Sequence, residues 1–376
     1  MIRNLICIFA AATVLLACAQ KEKPMEKELT MVVGTYTNGE SKGIYTYRFN
    51  QETGETVALS NAEVSNPSYL TISDDNKYVY AVSEHGDGRE AVNAFSFDKS
   101  SGTLNFINKE PAMGADPCYI TTNGTHVVAA NYSGGSIAAF PIGKDGKVLP
   151  ASDIVTYNGS GPDTDRQTSP HLHCVQFSPE GNYLFADDLG VDYVYKMVVN
   201  KRANAENKQK LLPIGNPHGY KIKPGSGPRH LTFAPNGKYA YLISEIKGTI
   251  TVFEYNNGNL KEIQTVFADE MNAKGSADIH VSPDGRFVYA TNRLKADGLA
   301  IFGVNHDNGM VKKIGYELTG VHPRNFIITP NGKYLLVACR DDNVIQIFER
   351  NLETGMVKNT GKEIKLSMPV CIKFAK

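Results

Sequence analysis

The sequence predicts an all-β, seven-bladed β-propeller with four-stranded antiparallel blades, on three observations. One phrase, clearest as GPRHLTFAPNGKYAYLISE at 227–245 and HPRNFIITPNGKYLLVACR at 322–340, recurs along the chain. Its copies lie one blade-length apart, with 50 residues between Pro67 and Pro117 and 46 between Pro323 and Pro369, within the spacing of propeller repeats. Finally, the repeat region opens with strands that lack an inner partner and closes on MPVCIKF (368–374), an inner strand with nothing after it.

The first residues stand outside this pattern. Arg3 precedes an apolar run over 5–16 broken only by Thr13, followed by Ala17 and Cys18. A run this short reads as a signal peptide rather than a spanning helix. Its ending resembles a bacterial lipoprotein cleavage box, which implies removal of residues before Cys18 and lipidation of that cysteine. Residues 19–28 are charged and nearly free of apolar groups, a flexible tether. The propeller domain is expected over 29–376. The protein is thus expected to be exported, anchored by lipid alone in the bacterial cell envelope, and a monomer or weak oligomer.

Within each repeat the grammar is physical. A short alternating strand such as 230–233 meets the turn Pro235-Asn236-Gly237, where Asn and Gly tolerate the backbone angles required. A second strand (239–243) is rich in β-formers, a third spans 249–255, and Asn256-Asn257-Gly258 turns into an outer strand near 260–267. Full repeats begin near 66, 116, 171, 227, 276 and 322. Residues 29–65 supply three strands, and the C-terminal strand completes their blade, which removes two exposed sheet edges. The Lys-, Asn-, Gly- and Pro-containing segment 199–226 reads as a loop insertion within the fourth full repeat.

Lys plus Arg and Asp plus Glu both number 39, so the formal net charge is zero. Nucleic acid, which needs a strong positive field, is not an expected partner. Four cysteines, Cys118, Cys174, Cys339 and Cys371, lie beyond the leader in apolar strand-like stretches without zinc-type spacing, and are expected as buried thiols.

Aligning the repeats on Pro235 compares one position across blades. Six residues before the turn, on the innermost strand, stand Ser68, Cys118, His173, Arg229, Ala277, Arg324 and Val370. Ten residues after it, where the second strand ends, stand Glu84, Glu245, Arg293 and Arg340, with Asp187 and Asp188 ending the corresponding strand of the 171 repeat. In an antiparallel hairpin these two sets meet at one mouth of the central channel. Enclosed arginine and histidine are costly without a partner. His171, Arg229, Glu245 and Arg293 are therefore candidates to surround a small anion, with Arg324, Asp188 and Arg340 as further ligand-binding groups. The alternatives are a channel lined for water and a structural Glu245–Arg293 ion pair. The arginines at positions aligned with His173 argue against a bound catalytic metal, and no cofactor is expected.

GTYT (34–37), SPHLHCVQFSPEGNYLFADDLGVD (169–192), GPRHLTFAPNGKYAYLISE (227–245), SPDGRFVYATNR (282–293) and HPRNFIITPNGKYLLVA (322–338) together resemble the lactonase propeller family, which includes propeller-type phosphogluconolactonases and fungal carboxymuconate cyclases. The resemblance covers essentially all of 29–376. It implies seven blades, a lactone or sugar acid as ligand, and active groups at the histidine of PHLH, Arg229, Glu245, Asn292 and Arg293. PHLH offers both His171 and His173, and the sequence does not choose between them. The glycine expected after the Asn-Arg pair is replaced by Leu294. Phosphogluconolactone is made in the cytoplasm, so an exported enzyme points to another sugar or sugar-acid lactone. A lactonizing cyclase and a non-catalytic propeller that binds an acidic small molecule or a protein are the alternative readings.

Overall fold

The computed structural model describes residues 26–213 and 218–376. The expected leader, Cys18 and most of the tether lie outside the described residues; Glu28 already opens the first strand. Among the described residues, 28 strands form seven four-stranded sheets. Numbered along the chain, blades 2 to 7 have as innermost strands Leu70–Ile72, Pro117–Thr122, Leu172–Phe177, Pro228–Phe233, Ser276–Val281 and Pro323–Ile328. Blade 1 takes its innermost strand, Pro369–Phe374, from the other end of the chain. Each of the seven touches the next, so they close a ring around one axis.

The ring closes as expected, through the C-terminal strand. Met31 faces Phe374 and Val33 faces Ile372 across the antiparallel pair. Val370, Cys371 and Ile372 are buried, whereas Phe374 at the lower rim is only half-buried. The hairpins obey their turn chemistry: Asn257 and Gly258 both have positive φ, at 42° and 82°, as a tight β-hairpin requires. Between blades 5 and 6, Tyr241, Ile243, Ile250 and Val252 pack on Val288, Ala290, Ala300 and Phe302. The Tyr241 hydroxyl, otherwise stranded in this apolar layer, donates to the Gly309 carbonyl at 3.0 Å. Cys118, Cys174, Cys339 and Cys371 are buried free thiols, as expected.

The 199–226 segment differs from its expectation. It precedes the fourth full repeat, and its His218–Lys221 stretch is the outer strand of blade 4, paired with Tyr193–Val198. Four residues without apolar alternation gave no strand signal, since only backbone pairing to a neighbour makes this edge. The loop before it is fixed by Asp153, whose carboxylate accepts the backbone N–H of Leu211 and Leu212 at 3.0 and 3.2 Å.

One local feature shapes the axis. In blade 5 Pro228 pairs with Ser244 but His230 pairs with Ile243, which leaves Arg229 as an extra residue in the inner strand. Blades 3, 4 and 7 carry the same irregularity at Cys118, His173 and Arg324. Such bulges re-aim side chains. Two successive residues per blade, Arg229 with His230 and Arg324 with Asn325, accordingly both line the throat.

Candidate functional site at the channel mouth

The innermost strands begin at the end of the channel where the second strands finish, so both aligned sets of the sequence do converge. Below them the throat is almost filled. Ser68, Tyr69, Cys118, His173, Arg229, His230, Arg324, Asn325 and Val370 enclose only about 10 Å³, room for roughly one water. A ligand must therefore bind above this plug, at the mouth.

Glu245 is the hub there. Its Oε2 accepts from Arg229 Nε at 2.7 Å and lies 3.2 Å from Arg293 Nη2, while Oε1 accepts from Arg166 Nη2 at 2.8 Å. Burial alone would raise its pKa. The guanidiniums of Arg293, Arg229 and Arg166 overwhelm that effect and hold the carboxyl far below the usual range. Glu245 is thus an ionised, fully committed acceptor. Three guanidiniums on one carboxylate leave local positive charge for an acidic ligand.

The arginines differ in what they have left to give. Arg293 spends Nε on the Gly275 carbonyl at 2.7 Å, Nη1 on His322 Nε2 at 3.1 Å and Nη2 on Glu245. Arg229 also donates Nη1 to the Ala277 carbonyl at 2.7 Å and to His230 Nε2 at 3.2 Å. Its Nη2 donates to no described group. Arg324, half-buried, donates no hydrogen bond to any described group and sits over the Tyr36 ring at 5.5 Å. The Tyr36 hydroxyl in turn donates to Glu84 at 2.9 Å. Arg340 binds Asp341 through Nε at 2.6 Å and reaches His322 Nδ1 at 3.2 Å, on the rim.

The two histidines of PHLH are placed apart. His171 is half-buried at the mouth, its ring stacked on Tyr132 at 4.3 Å with Nδ1 3.1 Å from the Tyr132 carbonyl. That carbonyl can only accept, so Nδ1 carries the proton and Nε2 keeps a free lone pair. Burial, reinforced by Arg166, lowers its pKa below 6.5. His173 lies deeper, in the throat, buried and edge-on to Tyr132 and His230 at 5.6 and 5.2 Å. Burial and then Arg229 push its pKa well down, and its Nδ1 finds no hydrogen-bond partner.

Two expected ligand groups are turned elsewhere. Asn292 is wholly buried: its Nδ2 donates to the Ala268 carbonyl at 3.1 Å and its Oδ1 accepts from Ser276 at 2.6 Å. As the strand neighbour of Arg293 it points to the opposite side, where it ties the blade to its inter-blade link. Asp188 is also buried, its Oδ1 accepting the backbone N–H of His171 and Gly190 at 2.7 and 2.9 Å, and burial pushes its pKa up to about 6. It positions the His171 backbone rather than facing the mouth.

Sequence reasoning missed Arg166, which sits on an irregular connection beyond the repeat, and Tyr132, which ends the 116 repeat at the position of Glu245, its backbone N–H bonded to Asp116 as that of Glu245 is to Gly227. It also missed the layer beneath the mouth. There Asp278, buried, accepts from His230 Nδ1 at 2.8 Å, His280 Nε2 at 3.0 Å, the Phe326 N–H at 3.2 Å and Asn325 Nδ2. His280 and His230 hold its carboxyl well below the usual range despite burial. Asn325 passes the chain on, its Oδ1 accepting the Ile372 N–H at 2.8 Å. A one-residue shift of the Arg229 alignment, applied to all blades, would have exposed this layer. Among the described residues, no group of three or more His, Cys, Asp or Glu side chains is placed to hold a metal ion.

Comparison with known proteins identifies the family of the fold. The family described as Lactonase, 7-bladed beta-propeller, matches residues 30–374. A 6-phosphogluconolactonase of Formosa agariphila is 38% identical over 347 residues, 89% of this chain and 96% of that protein. A crystal structure of a candidate 6-phosphogluconolactonase from Bacteroides fragilis shares 61% identity with a TM-score of 0.93, over 94% of this chain and all of that one. The periplasmic gluconolactonase of Pseudomonas aeruginosa is 32% identical with a TM-score of 0.85, over 93% of this chain and 99% of that one.

Proposed function

The chain belongs to the seven-bladed β-propeller lactonase family, and from that premise we propose that it hydrolyses a sugar or sugar-acid lactone, by a reaction of the 6-phosphogluconolactonase type. The observation that carries the mechanism is the state of His171. It is neutral near pH 7, held by the Tyr132 carbonyl, with Nε2 free at the mouth. Glu245 is unfit as a base because both its oxygens are bound by cations.

Water attacks the lactone carbonyl carbon while Nε2 of His171 takes its proton. The oxyanion of the tetrahedral intermediate is stabilised by the unspent Nη2 of Arg229. Breakage of the ring C–O bond returns the proton from the imidazolium to the leaving alkoxide, and the hydroxy acid forms. Arg324, with its whole fork available, suits a carboxylate or polar substituent of the substrate, and Arg340 lies at the rim. Arg166 and Arg293 hold Glu245 and thereby set the direction of Arg229.

Residues 1–18 act in this reading as a lipoprotein signal, with Cys18 the lipidated end in the cell envelope. Support comes from the leader itself and from the periplasmic description of the Pseudomonas relative. An envelope location favours an unphosphorylated lactone. The test is acid release by the purified mature protein from gluconolactone, galactonolactone and 6-phosphogluconolactone, corrected for spontaneous opening. Saturable acceleration of at least one supports the proposal, and rates equal to buffer for all three overturn it.

A further inference from the structure

A large cleft adjoins the mouth without belonging to it. About 920 Å³ opens between blades 7 and 1, lined among others by Arg340, Asp342, Gln346, Glu363, Lys365 and Met368. That is the size of a small-molecule site. It lies on the mouth face, because its walls are where the second strand of blade 7 ends and its third begins. Clefts between other blades also occur, such as one of about 650 Å³ between blades 1 and 2, but that one contains none of the arginine cluster. The blade 7–1 cleft touches the cluster twice. Arg340 spans from Asp341 to His322, which contacts Arg293. Met368 on its floor accepts the Tyr36 N–H at 3.1 Å, beside Arg324.

The chemistry of the lining selects a class of ligand. Glu40, Asp341, Asp342 and Glu363 outnumber Arg340 and Lys365, so a second anionic group is disfavoured. Donors and acceptors both line it, and two side-chain amides have donors to spare. Gln346 spends Oε1 on the Gly320 N–H at 2.8 Å and Asn343 spends Oδ1 on the Met368 N–H at 3.0 Å, so that each side-chain NH₂ remains available. Amide donors beside carboxylate acceptors match hydroxyl groups, each of which both gives and receives a hydrogen bond. We propose that this cleft is a subsite for a neutral sugar unit linked to the lactone, so that the preferred substrate is a glycosylated aldonolactone rather than a monosaccharide lactone. The proposal rests on the lactonase reading for the position of the reacting ring, with the second sugar directed outward past Arg340.

Cellobionolactone and maltobionolactone are compared with gluconolactone as substrates, and the corresponding acids as ligands by calorimetry. At least one disaccharide lactone is expected to exceed gluconolactone by roughly tenfold in kcat/KM, the scale of about 1.4 kcal/mol of added binding. The double variant Glu363→Ala/Lys365→Ala, on an exposed outer strand, should erase that advantage and leave gluconolactone turnover unchanged. Equal kcat/KM for all substrates, or an advantage that survives the double variant, overturns the subsite while the lactonase reading stands. If no lactone is hydrolysed, that reading falls and calorimetry decides the cleft by itself. Tighter binding of a disaccharide acid than of gluconate, lost in the double variant, supports the subsite, and equal or undetectable binding overturns it.

Discussion

His171 donates its Nδ1–H to the main-chain carbonyl of Tyr132, 3.1 Å away, while the Tyr132 ring covers one face of the imidazole. The pair comes from adjacent blades, so the base is held by the propeller interface itself. Burial and Arg166 both disfavour the imidazolium, which places its pKa below 6.5. A base must be unprotonated to act. The proposed activity should therefore rise with pH along a single acid limb centred below pH 6.5, and be flat around neutrality. His171→Gln should reduce kcat by roughly 10²–10⁴-fold with an unchanged melting temperature. Stopped-flow or pH-stat rates from pH 4.5 to 8 provide the check, and an acid limb retained in the variant would remove His171 from this role.

Arg293 and Arg324 should separate into structural and ligand-binding roles. Arg293→Gln strips a buried partner from Glu245 and a donor from the Gly275 carbonyl. About 3–5 kcal/mol of stability should go with it. Arg324→Gln removes a guanidinium that holds no described hydrogen bond, so folding should be nearly intact while KM for an acidic lactone rises roughly tenfold or more. Arg324→Lys keeps the charge but loses the fork and should recover only part of that. Denaturant melts and steady-state kinetics on the three variants report both quantities.

Acid should unfold the mouth through Glu245. Its folded pKa is depressed, so its ion-pair stabilisation is present above the ordinary value of 4.5 and declines as pH falls below it. Glu245→Gln should lower stability at pH 7 and flatten the loss below pH 4.5. Melting temperatures of both proteins from pH 3 to 7 test this; parallel curves would mean that Glu245 is not the linked group.

Asp187 has the opposite sign. Neither carboxyl oxygen has a hydrogen-bond partner in good geometry, and burial pushes its pKa up to about 8, only partly offset by the nearby Cys174 thiol and Leu231 N–H. The native state keeps the proton that the unfolded chain releases near 3.8, so stability falls as pH rises from there through about 8. Asp187→Asn should raise the melting temperature most at pH 8–9 and hardly at all below pH 4. An equal effect at both ends would point to packing instead of charge.

Deletion of 368–376 should cost far more than loss of a tail. Val370 and Ile372 are each 1% exposed, and burial of each contributes about 1.5–3 kcal/mol. The exposed edge of Glu28–Thr35 should also promote association. Calorimetry and light scattering on the truncated protein test both effects, and an unchanged melting temperature would refute them.

The ring and its channel-facing residues were legible because a propeller repeats one register, so Ser68, His173, Arg229, Arg324 and Val370 could be aligned from their turns alone. The bulge that brings Arg229 and His230 to the axis together was not legible, because strict alternation sends successive residues to opposite faces. Arg166 escaped for another reason: it lies on a connection between blades, and no periodicity marks it. Tyr132 does stand at the repeat position of Glu245, and was passed over because only charged groups were sought there. Asn292 shows the reverse error: its neighbour Arg293 faces the mouth, and adjacency in sequence carried no information about side. The outer strand at His218–Lys221 was hidden by its polarity, since pairing rather than burial creates it.

The hydrogen-bonded line from Ile372 through Asn325, Asp278 and His230 to Arg229 ends at Glu245. Its first member belongs to the strand that closes the ring, 47 residues beyond Asn325. A chain truncated ahead of that strand keeps nearly every residue of the site, but Asn325 lacks its anchor and the throat lacks its Val370 stave. Such a chain should be inert. Closure of the circle becomes a condition of activity, written into the architecture and not into any residue that touches the substrate.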